Sequence, residues 1–313
     1  AVQDFSYFPF FERVLFSCYG LVNYLYKLLL PIHLSCFYPY PETADHINSN
    51  WVYASPFILI FIALLTYRAA RNSRVITFGA LFFLSTIALV LQLIPVGDAV
   101  MADRYTYIPL IGVFYMGSFY FDDWITIKKN IKTFLIGMGI IYLLTLCVLS
   151  FQRNTEWKDS ISIYSAGLKY YPAAIVYNNR GAAYAKKEMH QLAIEDFNNV
   201  LKLKPKYPNG RQNRGLTYQK LNNYEKALED FNETVKMNPK GENNYFNRGN
   251  ILKAMNRYDE AANDYAKVIE LNPKNIDAWY NRGESYGRSG KLAEDIADFN
   301  KVITMKPYYA EAY

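Results

Sequence analysis

The chain has 313 residues, of which 51% are hydrophobic and 20% are charged, and its formal net charge is +6. The charge is unevenly placed, because only nine of the 34 Lys and Arg residues and eight of the 28 Asp and Glu residues lie in residues 1–150. In residues 151–313 basic and acidic residues are interspersed, which is typical of a solvated surface and excludes a basic nucleic-acid-binding stripe. We therefore expect no nucleic-acid partner.

Residues 1–152 are predicted to form a membrane domain with about five transmembrane helices. Four stretches carry no charged side chain and are close to the ~20 apolar residues that span a bilayer. They are residues 51–67, 75–97, 105–121 and 133–152. Residues 14–30 form a fifth predicted span, in which Lys27 lies near the helix end and can extend its ammonium group to the lipid headgroups.

The charges of the connecting loops predict the orientation of these spans. Residues 68–74 contain three arginines and residues 127–132 contain three lysines, and short positive loops stay on the cytoplasmic side. The alternate loops, residues 31–50 and 95–104, have a single Lys or Arg residue between them, Arg104. With five spans, the chain that follows the membrane domain is therefore predicted to lie on the outer side, in a periplasm or a secretory lumen.

Residues 153–173 are predicted to be a connecting helix that caps the region after it. From residue 174 the sequence repeats every 34 residues. An Asn-Arg-Gly triplet, an Asp-aromatic pair and a proline recur in one register. The triplets begin at Asn179, Asn213, Asn247 and Asn281, the pairs at Asp196, Asp230, Asp264 and Asp298, and the prolines are Pro205, Pro239, Pro273 and Pro307. This pattern predicts repeats at residues 174–207, 208–241, 242–275 and 276–309, followed by the start of a fifth.

The 34-residue unit resembles the tetratricopeptide repeat family, in which each repeat is a hairpin of two helices, A and B. The resemblance implies that the repeats stack into a right-handed superhelix with a concave face. Together with the predicted spans, this gives an all-α fold: a multi-span membrane helix bundle followed by the repeat superhelix. It also implies that helix B ends before each proline and that a glycine lets the two helices approach. These glycines are Gly181, Gly215, Gly249 and Gly283. Two positions depart from the family pattern: Arg211 replaces an aromatic residue and Asp295 replaces an alanine.

An arginine in each triplet recurs in step with the aspartate of the same repeat. The arginines are Arg180, Arg214, Arg248 and Arg282. One periodic charge of each sign predicts a ladder of ion pairs between helices. We interpret this ladder as structural, and the alternative is that the arginines bind a ligand.

Peptide-binding members of the family hold a carboxylate with asparagine and lysine side chains. Similar positions here are Asn179, Asn213, Asn247 and Asn281 on helix A, followed by Lys186, Lys220, Lys253 and Arg288. The resemblance implies a groove for a protein or peptide partner. The alternative is structural, because the Asn-Arg-Gly triplet also occurs in repeats without such a ligand.

Three stretches in and beside the membrane half, residues 31–41, 102–112 and 153–160, resemble the transmembrane and tetratricopeptide repeat-containing O-mannosyltransferase-like proteins, which have a glycosyltransferase C-type membrane fold. The resemblance implies transfer of a sugar from a polyprenyl-phosphate carrier to an acceptor. A carboxylate in an outer loop, with or without a divalent metal, removes a proton, and a cationic side chain stabilises the departing phosphate. We expect that carboxylate upstream of Ala1, so no catalytic residue is assigned.

Arg104 is the candidate for the lipid phosphate, with Asp98 and Asp103 beside it at the outer end of a span. The alternative is that these charges cap the span next to an aromatic belt that includes Tyr105 and Tyr107. Membrane lipid is the expected partner of this half of the chain.

The motifs of independent soluble enzymes are absent from the sequence. There is no H-E-x-x-H pair, Gly-rich phosphate loop, nucleophile elbow or zinc-binding spacing, so no metal site or bound cofactor is predicted. Two functions remain open: a membrane glycosyltransferase whose outward-facing repeats hold a protein acceptor, and a non-enzymatic membrane-anchored scaffold. A transporter is disfavoured, because the spans lack paired Gly/Pro-broken helices.

Overall fold

The computed structural model describes residues 9–31, 35, 38–39, 50–88, 99–101, 107–127 and 129–313. The chain divides into two compact units, residues 1–176 and 177–313. Apart from a short antiparallel pairing of strands β1 (Tyr38–Pro39) and β2 (Ala99–Met101), the regular structure of the described residues is helical. The expectation of an all-α chain is confirmed to that extent.

The first unit contains six α-helices among the described residues. They are α1 (Phe10–Leu29), α2 (Asn50–Ala70), α3 (Arg74–Ala88), α4 (Tyr107–Ile127), α5 (Lys129–Asn154) and α6 (Ser160–Tyr170), with a 3-10 turn at Thr155–Trp157. Two stretches within the described residues are long and apolar enough to cross a membrane, Asn50–Ala70 and Ile136–Trp157. Arg74–Ala88 and Tyr107–Phe119 are apolar but shorter. The multi-span bundle stays a prediction, and residues 89–97 and 105–106 of two predicted spans lie outside the described residues.

A small core joins the helices of the first unit. Tyr24 of α1, Tyr38 of β1, and Phe83 and Ile87 of α3 are buried together. Tyr142 of α5 donates hydrogen bonds from its hydroxyl to the carbonyl oxygens of Leu28 and Leu29, each at 3.2 Å. Because the last carbonyls of a helix have no partner within it, this contact satisfies the carboxyl end of α1.

Helices α3 and α4 cross at two glycines. A Cβ atom added to Gly112 would lie 2.5 Å from the carbonyl oxygen of Gly79, so the two backbones are in contact. Such crossings at small residues are typical of helices that pack within membranes.

The apolar side chains of α2 and α5 have few partners inside the unit. Only 11% of the apolar window of α2 and none of that of α5 is buried. Phe61 of α2 is 63% exposed and Leu144 of α5 is 60% exposed. These helices therefore present apolar surface outward, unlike the core helices of a water-soluble domain.

The repeats fold into four helical hairpins. Their A helices are α7 (Ala174–Lys186), α9 (Pro208–Lys220), α11 (Glu242–Ala254) and α13 (Ile276–Arg288). Their B helices are α8 (His190–Leu203), α10 (Tyr224–Met237), α12 (Tyr258–Leu271) and α14 (Leu292–Met305). Each B helix ends two residues before the repeating proline, and a short 3-10 turn, Ala310–Ala312, follows α14. The tetratricopeptide-type stack of hairpins is confirmed.

Small residues let the two helices of each hairpin approach. A Cβ atom on Gly181 would lie 2.8 Å from Phe197, and one on Gly249 would lie 2.9 Å from Tyr265. Both aromatic rings are fully buried, and so is Ala261 on helix B. The core therefore has no room for a larger side chain at these crossings.

Asp295, which stands where the other repeats have a buried alanine, is accommodated at a cost. Its Oδ1 atom is buried and has no hydrogen-bond partner among the described residues. Its carboxylate lies beside Gly287, where an added Cβ atom would be 2.5 Å from Oδ2. Burial, and secondly the neighbouring Asp298, raise the pKa of this carboxyl group above its ordinary value.

Arg211, the other departure from the family pattern, forms polar contacts in place of aromatic packing. Its Nη2 atom donates to the carbonyl oxygen of Pro205 at 3.2 Å, and its Nη1 atom lies 3.8 Å from Asp230 Oδ1.

Candidate functional site

The Arg and Asp residues of each repeat form a bidentate ion pair between helices A and B. Arg180 donates from Nε and Nη2 to the two carboxylate oxygens of Asp196 at 2.8 and 2.7 Å. The same geometry recurs for Arg214–Asp230, Arg248–Asp264 and Arg282–Asp298, with distances of 2.6 to 2.8 Å. The predicted ladder is confirmed as a contact within each hairpin.

The guanidinium groups of these ion pairs are already hydrogen-bonded to other side chains of the repeats. The four aspartates are buried, and the hydrogen bonds to them raise the pKa of each arginine. Arg214 and Arg248 also donate from Nη1 to Asn198 and Asn232 of the preceding repeat, at 2.6 and 3.1 Å. The arginines therefore tie helices together within and between repeats, which favours the structural interpretation.

A groove with a volume of about 410 Å³ opens between the A helices of repeats 1 and 2. Its lining comes from α7, α9, α8 and the turn between α7 and α8. The lining residues are Ala182, Ala185, Lys186, Glu188, His190, Phe197, Asn213, Leu216, Thr217, Gln219 and Lys220. Three of the predicted groove residues, Lys186, Asn213 and Lys220, are thus brought together.

Fixed hydrogen bonds orient the floor of this groove. Asn213 donates from Nδ2 to Asn178 Oδ1 at 3.0 Å, across the boundary between repeats 1 and 2. The Thr217 hydroxyl donates to the carbonyl oxygen of Asn213 at 2.7 Å. The Asn213 side chain is therefore held by a hydrogen bond between the two repeats, and neither of these bonds uses its Oδ1 atom.

The two lysines that line the groove are not held in place as Asn213 is. Lys186 and Lys220 are exposed, and neither has an ion pair within the part of the chain that the structure describes. The His190 Nδ1 atom is buried without a hydrogen-bond partner in the same described region. An unsatisfied buried ring nitrogen is uncommon and requires an explanation.

In repeats 3 and 4, the lysine near the end of the first A helix is paired with side chains of the next A helix. Lys253 donates from Nζ to Asn281 Oδ1 at 2.6 Å and to Glu284 Oε2 at 2.9 Å. Lys253 follows Lys220 by 33 residues and so lies one position out of the 34-residue register. Its side chain therefore contacts the next A helix, α13, instead of extending to the rim of a groove.

The remaining predicted site residues are not gathered around the groove. Asn179 and Asn247 are half-buried on α7 and α11, and Arg288 is exposed at the last residue of α13. The lipid-phosphate candidates Asp98, Asp103 and Arg104 lie outside the described residues. No cluster of three or more His, Cys, Asp or Glu side chains suited to a metal ion occurs in the described ranges.

Sequence reasoning missed Glu188 and His190. Both interrupt the period: the three other turns have Asn222, Asn256 and Gly290 where repeat 1 has Glu188. All four residues have positive φ, with Glu188 at 61°, a conformation that Gly and Asn adopt more readily than Glu. The detectable signal was this local departure from the repeat.

Tetratricopeptide repeat family models match most of the second half of the chain. The matched residues are 148–208, 181–245, 249–290 and 276–309. The chain is also similar to a protein O-mannosyl-transferase of Caenorhabditis elegans, with 24% identity over 200 residues. That match covers 63% of this chain and 28% of the relative, so the chain spans less than a third of the relative's length.

Several solved structures are similar to about half of this chain. YrrB, described as a protein with an unusual peptide-binding site, is 25% identical with a TM-score of 0.46, covering 52% of this chain and 84% of its own. MamA is 20% identical with a TM-score of 0.47, covering 51% of this chain and 95% of its own. MamA from Desulfovibrio magneticus is 19% identical with a TM-score of 0.46, covering 53% and 96%.

Proposed function

Because the second half of the chain consists of tetratricopeptide repeats, we propose that it is a peptide-binding array carried by a membrane domain. The observation that supports this most directly is the groove of about 410 Å³ between repeats 1 and 2. Its lining combines apolar surface from Ala182 and Leu216 with the polar groups of Asn213, Lys186 and Lys220. A bound polypeptide segment requires such a mixture, with apolar area for burial and a few fixed polar groups for orientation.

Blocking the groove tests this proposal. Ala182 is exposed in the groove, so Ala182→Trp fills it without entering the core, and Ala297→Trp is the matched control on the exposed face of α14. Peptides are first selected from an array with the full chain in lipid nanodiscs, and their affinity is then measured by fluorescence anisotropy. We expect roughly a tenfold loss or more for Ala182→Trp, a little over 1 kcal/mol, and no change for Ala297→Trp. Equal affinities for both variants contradict a site in this groove.

We also propose that the first unit crosses the membrane several times and places the repeats on the outer side. The outward apolar side chains of α2 and α5 support membrane burial, because lipid is the solvent that such surfaces match. The exposed arginines Arg68, Arg71 and Arg74 at the turn between α2 and α3 support a cytoplasmic position for that turn. Proteolysis of right-side-out and inverted vesicles tests the orientation. Digestion of the repeats only from the cytoplasmic face contradicts it.

A second proposed function is sugar transfer, by analogy with the matched relative. It rests on the similarity to the O-mannosyl-transferase and on residues 31–41, 102–112 and 153–160. In that reaction an acceptor hydroxyl attacks the sugar carbon, a base takes the hydroxyl proton, and the polyprenyl phosphate leaves with the bonding electrons. Arg104, with Asp98 and Asp103 nearby in sequence, is the proposed phosphate contact, and the base is proposed to act with or without a divalent metal.

The transferase proposal is tested by comparing wild type with Arg104→Ala in membranes that contain polyprenyl-phosphate sugars. We expect transfer to fall by about 10²-fold or more, because the developing phosphate charge loses its counter-charge. Arg74→Ala, at a loop predicted to be cytoplasmic, is the control. If no donor supports transfer while peptides still bind the groove, the protein is a membrane-anchored scaffold without enzymatic activity.

A further inference from the structure

We infer that Asn232 is a site of N-linked glycosylation and that the sugar is attached before repeat 2 finishes folding. The inference rests on the proposed position of the repeats on the outer side of the membrane, taken as a secretory lumen. Its starting point is the triplet Asn232-Glu233-Thr234 on α10, the only Asn-x-Ser/Thr sequence in the chain whose middle residue is not proline.

The threonine of this triplet lies in the core, where the other repeats have valine. Thr234 is 1% exposed, and the residues one or two periods away from it are Val200, Val268 and Val302, all fully buried. Threonine has nearly the shape of valine, but its hydroxyl group must leave water on folding. That hydroxyl donates to the carbonyl oxygen of Phe231 at 2.9 Å, a bond within its own helix that joins no second element. Packing therefore favours valine here, whereas the acceptor triplet requires threonine or serine.

The asparagine position alone has a structural explanation. Asn198 and Asn232 stand 34 residues apart, and each accepts a hydrogen bond from an arginine of the next repeat. Asn300 occupies the same position in repeat 4. Since Asn198 and Asn300 are followed two residues later by valine, the threonine is what distinguishes repeat 2 from the other two.

The Asn232 side chain can carry a sugar without losing its contact with the next repeat. Its Oδ1 atom accepts from Arg248 Nη1 at 3.1 Å, a bond that does not use Nδ2, and the side chain is half-buried. In N-glycosylation Nδ2 gives a proton to a base of the transferring enzyme and forms a bond to the anomeric carbon of a lipid-linked oligosaccharide. The bond from that carbon to the lipid phosphate breaks, and the phosphate leaves with the electron pair. The Oδ1 atom is retained as an acceptor for Arg248.

The burial of Thr234 determines when the sugar is attached. An enzyme cannot contact a hydroxyl group on a side chain that is 1% exposed. The carbonyl oxygen of Thr234 also accepts from Asn244 Nδ2 of α11 at 3.2 Å, so the triplet is closed once α11 packs against α10. Because segments made earlier can fold first during synthesis, the modification must precede the docking of repeat 3.

Synthesis of the full chain in the presence of secretory microsomes tests the site. We expect wild type to carry one glycan that peptide-N-glycosidase removes and that mass spectrometry places on Asn232. Asn232→Gln and Thr234→Val should each lose the glycan, and Thr234→Ser should keep it. In unmodified chains in nanodiscs, Thr234→Val should raise the urea midpoint of unfolding. A lower midpoint would overturn the assignment of Thr234 to the triplet, because the hydroxyl would then stabilise the repeat.

An engineered acceptor separates this inference from the proposed orientation. Glu225→Thr in the Asn232→Gln background creates a triplet that begins at Asn223, and residue 225 is exposed at the start of α10. If this variant is glycosylated and wild type is not, the inference is wrong and the outer position of the repeats stands. If neither is glycosylated, the proposed orientation fails together with the inference.

A delayed supply of donor tests the order of events. Chains completed while the lipid-linked oligosaccharide is depleted, and then given the donor, should stay unmodified at Asn232. Glycosylation of these completed chains to the same extent as in continuous synthesis would overturn the requirement for an unfolded repeat 2.

Discussion

In the first unit the large apolar side chains of α2 and α5 point outward, whereas in the repeats the aromatic side chains of the B helices are enclosed between helices. Phe61 is 63% exposed and Phe231 is fully buried, although both are phenylalanines on helices. The difference teaches that apolar content alone does not define a core: the first unit leaves apolar side chains on its outside, and the second withdraws them from water. Substitutions at matched residues in the two units test this comparison.

The largest effect is expected from removing one aromatic ring in each unit. Phe231→Ala should lower the free energy of unfolding of the repeats by about 3–5 kcal/mol, because it leaves a cavity in the core. Phe61→Ala, with no comparable packing inside the protein, should change it by less than about 0.5 kcal/mol. Urea titration of the full chain in nanodiscs, followed by circular dichroism, measures both. A similar loss for both variants would contradict an outward-facing α2.

The second-largest effect on stability is expected from replacing one arginine in each unit. Arg282→Ala should destabilise the repeats by about 3 kcal/mol, because Asp298 is then buried without its partner. Arg68→Ala, at an exposed arginine with no ion pair among the described residues, should have almost no effect on unfolding. The affinity of Arg282→Ala for a groove peptide should equal that of wild type. Lower affinity with unchanged stability would make the ladder a binding surface.

A smaller effect, of opposite sign, is expected at Asp295. Asp295→Ala restores the residue type that is fully buried in the other three repeats and removes an unsatisfied carboxylate oxygen, so it should stabilise the repeats by about 1 kcal/mol. Gly287→Ala should be better tolerated in the Asp295→Ala background than in wild type, because its Cβ atom would otherwise meet Asp295 Oδ2 at 2.5 Å.

The Asp295 effect should also depend on pH. The pKa of this carboxyl group is raised in the folded state above the ordinary value of 3.8, so the folded state holds the proton more tightly than the unfolded state. The stability that protonation supplies is complete below the ordinary pKa and is lost as the pH rises through the folded pKa. The advantage of Asp295→Ala should therefore be largest near neutral pH and shrink on acidification. An advantage that is constant with pH would point to packing alone.

The sequence predicted regular features well and local exceptions poorly. The 34-residue step was sufficient to predict the hairpins and the Arg–Asp pairs, because every repeat imposes the same geometry on the same residue types. The pairing of Lys253 with Glu284 was not predictable, since it depends on a one-residue offset and on a partner in the next helix. His190 was missed because its significance depends on what surrounds the Nδ1 atom. The apolar stretches predicted helices, but the length and composition of a helix do not determine whether it crosses the membrane.

The smallest expected effect is at the turn of repeat 1, where Glu188 has a φ of 61°. Glu188→Asn should stabilise the repeats by about 0.5–1 kcal/mol, because Asn tolerates the left-handed region better than Glu. The reverse change, Asn222→Glu, is the matched control, and it should destabilise by more, because it also removes the hydrogen bond from Tyr224. Equal stability of wild type and Glu188→Asn would contradict strain at this turn.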